Sequence, residues 1–334
     1  PSGEHRTVQL LYESPTGDPH AGEGLEIRLL AQGPEVTFDN VKLFRTTGFA
    51  EDPPPYLYEW GQGGTGDGQH QFLWGGGVSM AGDVYTVDAS LHRVSKFDHL
   101  GEFELMFGWG VATGASSYEV CSSGCLAGIA GNGAGQLNGA RGVAVNSVGE
   151  VFVSDEGNHR IQVFSASGAF LEAWGWGVAT GSNQFEICTV NCLSGIPGGG
   201  DGQFAAPHSV AVDPTDDSVL VADSNNSRIQ RLTMDGTYVE MYGWGTGGVN
   251  LSNPTDVAAD AAGNLFVASI GTDQIVKIDA AGVLVTTWGG TGGQPGQFSG
   301  PHGVAVNSSG SVFVADMNNT RIQKFDNDGR LLTM

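Results

Sequence analysis

A segment of about 47 residues recurs along this chain, and no other feature restricts its fold as strongly. The copy "GQLNGARGVAVNSVGEVFVSDEGNHRIQVFSASGAFLEAWG" at 135–175 is answered by "GQFAAPHSVAVDPTDDSVLVADSNNSRIQRLTMDGTYVEMYG" at 202–243. A third, "GQFSGPHGVAVNSSGSVFVADMNNTRIQKFDNDGRLLTM", runs over 296–334, and weaker copies occupy 71–108 and 250–289. Val78, Val143, Val210, Val257 and Val304 are read as one repeat position, spaced 65, 67, 47 and 47 residues. Two copies therefore carry insertions of roughly 20 residues beyond the basic period.

Each copy divides into four short apolar runs, "GVAV", "VFVSD", "RIQVF" and "FLEAWG", separated by turns such as "SVGE" and "SASGA". The 54 glycines far exceed ordinary usage, but apolar residues are spread evenly, so the chain is not a disordered linker. Helical periodicity is nearly absent. A four-stranded unit of this length, repeated several times, is a propeller blade. One blade cannot bury both faces of its sheet, so neighbours must stack. The expected fold is all-β, a β-propeller whose second and third strands fill the spaces between blades with Val, Ile and Phe.

"VSDEGNHRIQVF", "VADSNNSRIQRL" and "VADMNNTRIQKF" resemble the NHL repeat, whose mark is Asp–x–x–Asn–x–Arg–Ile. The resemblance covers roughly residues 56–334. In physical terms Asp155, Asp223 and Asp316 can accept hydrogen bonds from Arg160, Arg228 and Arg321 across the turn, a structural pairing. The fourth copy departs, with Ser269 and Gln274 in those places. NHL propellers imply six blades, and five repeats are visible. "PYLYEWG" at 55–61 matches the fourth run, as expected of an outer strand that latches a ring. The expected domains are a three-stranded β unit over 1–48 and an NHL-repeat propeller over 49–334. The first is read either as the sixth blade or as a remnant of a jelly-roll, carbohydrate-binding-like sandwich, on the strength of "FDNVKL".

A net charge of -22, from 36 acidic against 14 basic residues, repels nucleic acid and anionic membranes. No apolar run is long enough to span a bilayer. The chain begins at Pro1 without a signal peptide, so it is expected to be processed or excised from something longer. Its four cysteines stand in near-identical insertions, Cys121 and Cys125 in one, Cys188 and Cys192 in the other. Local disulfides Cys121–Cys125 and Cys188–Cys192, a four-thiolate zinc site and free thiols are the alternatives, with the disulfides preferred. Disulfides and acidic charge together suit a secreted or cell-surface protein.

The residue two before each marker valine should ring the channel mouth: Gly76, Arg141, His208, Thr255 and His302. Both insertions are expected to wall part of that mouth. The "PHS" and "PHG" contexts of His208 and His302 are similar to the zinc-binding histidines of peptidyl-α-hydroxyglycine lyases, six-bladed propellers with three such ligands. The resemblance implies a metal at His208 and His302, zinc or calcium being the cofactors considered. The first repeat should supply the third ligand, where Gly76 stands. The first expectation for function is a non-enzymatic binding or assembly module of a larger extracellular protein. Its partner, a protein or a glycan, would meet the loop-bearing face through Arg141, Tyr118, Phe185, Trp109 and Trp176. The alternatives are a metal-dependent lyase or hydrolase, and a self-assembling subunit of an extracellular polymer.

Overall fold

The computed structural model describes residues 61–243 and 245–333 in full, and before them the backbone of four strands at 5–13, 23–32, 37–47 and 58–60. Five antiparallel sheets, blades I to V, follow one another along the chain. Their innermost strands are Leu73–Val78, Ala140–Val145, Pro207–Val212, Pro254–Ala259 and Pro301–Val306, each in contact with the next. Three further strands pair outward in sequence order in every blade. Second strands such as Val151–Asp155 and Val219–Asp223 are buried along their whole length. They are covered on both faces, which is why they read as unbroken apolar runs rather than alternating ones.

The core is a series of inter-blade layers. Between blades I and II, Tyr85, Val87, Phe107, Val143, Val153 and Phe164 pack together. Phe152, Trp174, Phe204, Val221 and Leu232 do the same between II and III. Close approach of neighbouring inner strands requires glycine: a Cβ at Gly75 would stand 2.3 Å from the carbonyl oxygen of Arg141.

The described structure has five blades, which corrects the expectation of six. The amino-terminal strands form a separate four-stranded sheet, His5–Glu13, Glu23–Gln32, Thr37–Thr47 and Tyr58–Trp60, that adjoins blades V and I. Its first three strands run to 9, 10 and 11 residues, about twice the usual blade strand, and none carries the repeat motif. Tyr58–Trp60 pairs with Val41–Leu43 of that sheet. The loops within 1–48, and residues 48–57 around the proposed domain boundary, lie outside the described residues.

The insertions also differ from expectation. Each adds a fifth strand to the outer edge of its blade, Tyr118–Cys121 on blade I and Phe185–Cys188 on blade II. They do not wall the mouth, because strand pairing carries them to the rim. Cys121 is bonded to Cys125 and Cys188 to Cys192, and each pair packs into a small buried cluster.

Candidate functional site at the channel mouth

Every inner strand carries a bulge at the same place. Pairing skips one residue between Leu73 and Gly75, Ala140 and Gly142, Pro207 and Ser209, Pro254 and Asp256, and Pro301 and Gly303. The skipped residues are Trp74, Arg141, His208, Thr255 and His302. A bulged residue is freed from the ladder and re-aims its side chain. All five line one cavity of about 300 Å³ along the channel.

The ring thus contains Trp74 where Gly76 was expected. The glycines of "WGGGV" hide the register: Val78 pairs with Val84 as Val145 pairs with Val151, so Val78 matches Val145 and not Val143. True spacing is 67, 67, 47 and 47. The signal was present in the 67-residue separation of Asp88 from Asp155 and of Arg93 from Arg160.

Within the mouth, the Arg141 guanidinium lies 4.2 Å from the centre of the Trp74 ring. Its Nε donates to Glu156, and its terminal nitrogens have no protein acceptor among the described residues. Trp74 meets His302 at 5.0 Å and His208 at 5.7 Å between ring centres, and the two imidazoles are 4.9 Å apart. His208 Nδ1 is 2.8 Å from the carbonyl oxygen of Thr255. A carbonyl only accepts, so Nδ1 carries the proton and Nε2 presents its lone pair. Burial first, then the charge of Arg141, pulls the pKa of His302 down to about 4. His208 is held well below the usual histidine range by burial, then by His302 and Arg141. Both imidazoles are therefore neutral at neutral pH.

Asp256, which sequence reasoning missed, stands one residue beyond the Thr255 bulge. It accepts from Ser209 Oγ at 2.6 Å in blade III and from the Val304 amide at 2.9 Å in blade V. Burial pushes its carboxyl up to about 6 against these hydrogen bonds. The corresponding positions are Gly75, Gly142, Ser209 and Gly303, so only a comparison across repeats marks it out.

The remaining candidates lie elsewhere. Tyr118 stacks on Phe164 of blade II with ring centres 6.1 Å apart, and its hydroxyl donates to the Gly168 carbonyl. Phe185 packs into the layer between blades II and III. Trp109 and Trp176 donate from Nε1 to the carbonyls of Ala134 and Asp201 at 2.9 Å. Tyr118 and Phe185 anchor the insertions to the next blade and the two tryptophans close each insertion on itself, while Arg141 alone of that group reaches the mouth. Among the described residues no group of three or more His, Cys, Asp or Glu side chains is arranged to hold a metal.

The repeat motif is structural. Arg160, Arg228 and Arg321 donate through Nε to Asp155, Asp223 and Asp316 at 2.8–2.9 Å. Arg160 spends its other donors on the carbonyls of Asn132, Leu193, Gly133 and Gln136, tying the incoming loop and the cysteine loop to the blade.

Comparison with known proteins agrees with this geometry. The family model "NHL repeat" matches residues 137–164, 204–232 and 298–325, in blades II, III and V. Peptidylglycine alpha-amidating monooxygenase of Rattus norvegicus is 32% identical over 162 residues, 47% of this chain and 13% of that protein. Protein brain tumor of Drosophila melanogaster is 28% identical over 156 residues, 46% of this chain and again 13% of the relative. The chain therefore spans about an eighth of the length of these relatives. Among solved structures, one from the nidogen/laminin complex aligns over 97% of this chain and 91% of its own, with TM-score 0.54 and 14% identity. Virginiamycin B lyase from Staphylococcus aureus aligns over 99% and 87%, with TM-score 0.50 and 12% identity. These structural likenesses concern the fold alone. With its repeated Asp–Arg turns, its blade topology and these matches, the chain is a β-propeller that carries NHL repeats in three of its blades.

Proposed function

We propose that the chain is a non-enzymatic binding module that works outside the cytosol and takes its ligand at the channel mouth. The observation that carries this reading is Trp74. It occupies the ring position on blade I that a third imidazole would need, and it supports an arginine whose terminal nitrogens remain available. A catalytic zinc site uses three protein ligands and an open position. Two histidines and a tryptophan do not supply that set. They do make a small aromatic and basic recess suited to a planar or acceptor-bearing group of a small ligand or a partner's side chain. Both disulfides support an oxidising compartment.

A second reading, a metal-dependent lyase or hydrolase, is favoured by the two adjacent neutral imidazoles. Partial similarity to an amidating monooxygenase also supports it. Elemental mass spectrometry of protein purified without chelator, beside a His208→Ala variant, separates the two. The binding-module reading expects no stoichiometric metal that depends on His208. One zinc per native chain, lost in the variant, would overturn it in favour of the metal reading.

A further inference from the structure

Four Asn-x-Ser/Thr triplets occur in the chain: Asn225-Asn226-Ser227, Asn250-Leu251-Ser252, Asn307-Ser308-Ser309 and Asn318-Asn319-Thr320. Such a triplet is the acceptor for N-linked glycan, provided that the asparagine lies on the surface of a secreted protein. The fold sorts these four by face. Asn225 and Asn318 are exposed in the turns between second and third strands of blades III and V. Those turns follow Asp223 and Asp316, which pair with Pro207 and Pro301, the residues just before His208 and His302. Asn250 is exposed in the loop that enters blade IV at the same end. Asn307 lies at the opposite face, 7% exposed, where its side-chain oxygen accepts from the Ser311 amide and the Ser309 hydroxyl.

The turn itself does not ask for asparagine at 225 or 318. Its structural asparagine is the next residue: Asn226 and Asn319 donate to Asp223 and Asp316 and to the carbonyls of Gly198 and Gly292. The place of Asn225 and Asn318 is taken by Ser90, Gly157 and Gly271 in the other blades. The place of the hydroxyl residues, Ser227 and Thr320, is taken by His92, His159 and Asp273. Two positions at which the repeat accepts several residue types, the second of them in the left-handed conformation in every blade, have thus been filled together, twice, by the two residues an acceptor requires.

We propose that Asn225 and Asn318 carry N-linked glycans, with Asn250 a third acceptor, and that all the glycans stand on the channel-mouth face. The side-chain nitrogen would attack C1 of a sugar carried on a lipid diphosphate. The N–C1 bond forms, the lipid diphosphate leaves with the electron pair, and the nitrogen loses one proton. The opposite face stays bare. A sugar-bearing rim leaves Trp74, Arg141, His208 and His302 open to a small ligand or a single projecting side chain and keeps broad partner surfaces to the other side. The proposal rests on the extracellular reading above.

Its test is peptide mapping of protein isolated from the cells that make it, deglycosylated enzymatically in heavy-oxygen water, with free thiols counted on the same sample. Label at Asn225 and Asn318 and none at Asn307 is the expected result. Unlabelled Asn225 and Asn318 in protein with no free thiol would overturn the modification while leaving the extracellular reading intact. Unlabelled sites with four free thiols would overturn both. Asn225→Gln and Asn318→Gln variants should each lose one glycan with unchanged melting temperature.

Discussion

His70 occupies the place that Leu137, Phe204 and Phe298 hold in blades II, III and V, each directly after a glutamine. It is fully buried against Phe97, and among the described residues neither ring nitrogen has a hydrogen-bond partner. Burial pulls its pKa down to about 4, with the charges of Asp88 and Arg93 opposing each other. Below its ordinary value of 6.5 the unfolded chain takes up a proton that the folded chain resists. Stability is therefore whole above about pH 6.5 and is lost as pH falls towards 4. An unsatisfied buried polar group costs about 1–3 kcal/mol. His70→Phe should raise the melting temperature at pH 7 and widen its advantage at pH 5, since the phenylalanine has nothing to protonate. Equal melting at both pH values would show that the ring finds a partner in solution. At the mouth, Arg141→Gln removes the charge that helps depress His302. Titration of the His302 ring by NMR should then show a raised pKa, whereas a purely packing role for Arg141 would leave it unmoved.

The blade is the unit in which these residues gain their meaning. The Asp–Arg clasp was legible because the whole Asp–x–x–Asn–x–Arg pattern survives in three copies, and its partners there are those the motif suggests. Legible too were the four strands, since blade strands need only short apolar runs between glycine turns. The inner strand of blade I was not: "GGG" removes the side chains that would have marked its register, and the tryptophan at the mouth went unnoticed. Pairing of the insertions with the outer edge was equally hidden, because "YEVC" and "FEIC" are four-residue runs too short to declare a strand. Blade IV, with Ser269 and Gln274, shows that the clasp can be replaced: Ser269 Oγ instead binds the Ser252 amide and carbonyl. Blade II has no such substitute. Arg160→Met would leave Asp155 buried without its charge partner and take a donor from four carbonyls, of which those of Gln136 and Gly133 keep another, from Gln162 and the Gln136 amide, for a loss of about 3–5 kcal/mol. Denaturant titration should show that loss. A change under about 1 kcal/mol would mean that the loop hydrogen bonds re-form without the guanidinium.

At the scale of the ring, blades I, III and V place Trp74, His208 and His302 together at one channel. Their ring centres are 4.9, 5.0 and 5.7 Å apart. Imidazoles sharing a zinc ion through Zn–N bonds of about 2 Å have ring centres roughly 5 Å apart. The three rings thus stand at about the separations that three zinc-bound imidazoles would show, with an indole, whose N–H only donates, at one corner. Three bulges on separate strands rather than one loop hold these side chains, so exchanging one should leave the others in place. Trp74→His should convert the recess into a zinc site, retaining about one zinc per chain through desalting, more than the native chain does. Adding His208→Ala should abolish the gain. The substitution also removes the surface on which Arg141 lies, so binding of any ligand that uses the native recess should fall as zinc binding rises. Should Trp74→His hold no more zinc than the native chain, the three bulges do not converge on a common point. The recess would then be a packing feature of the ring and not a place built to receive a ligand.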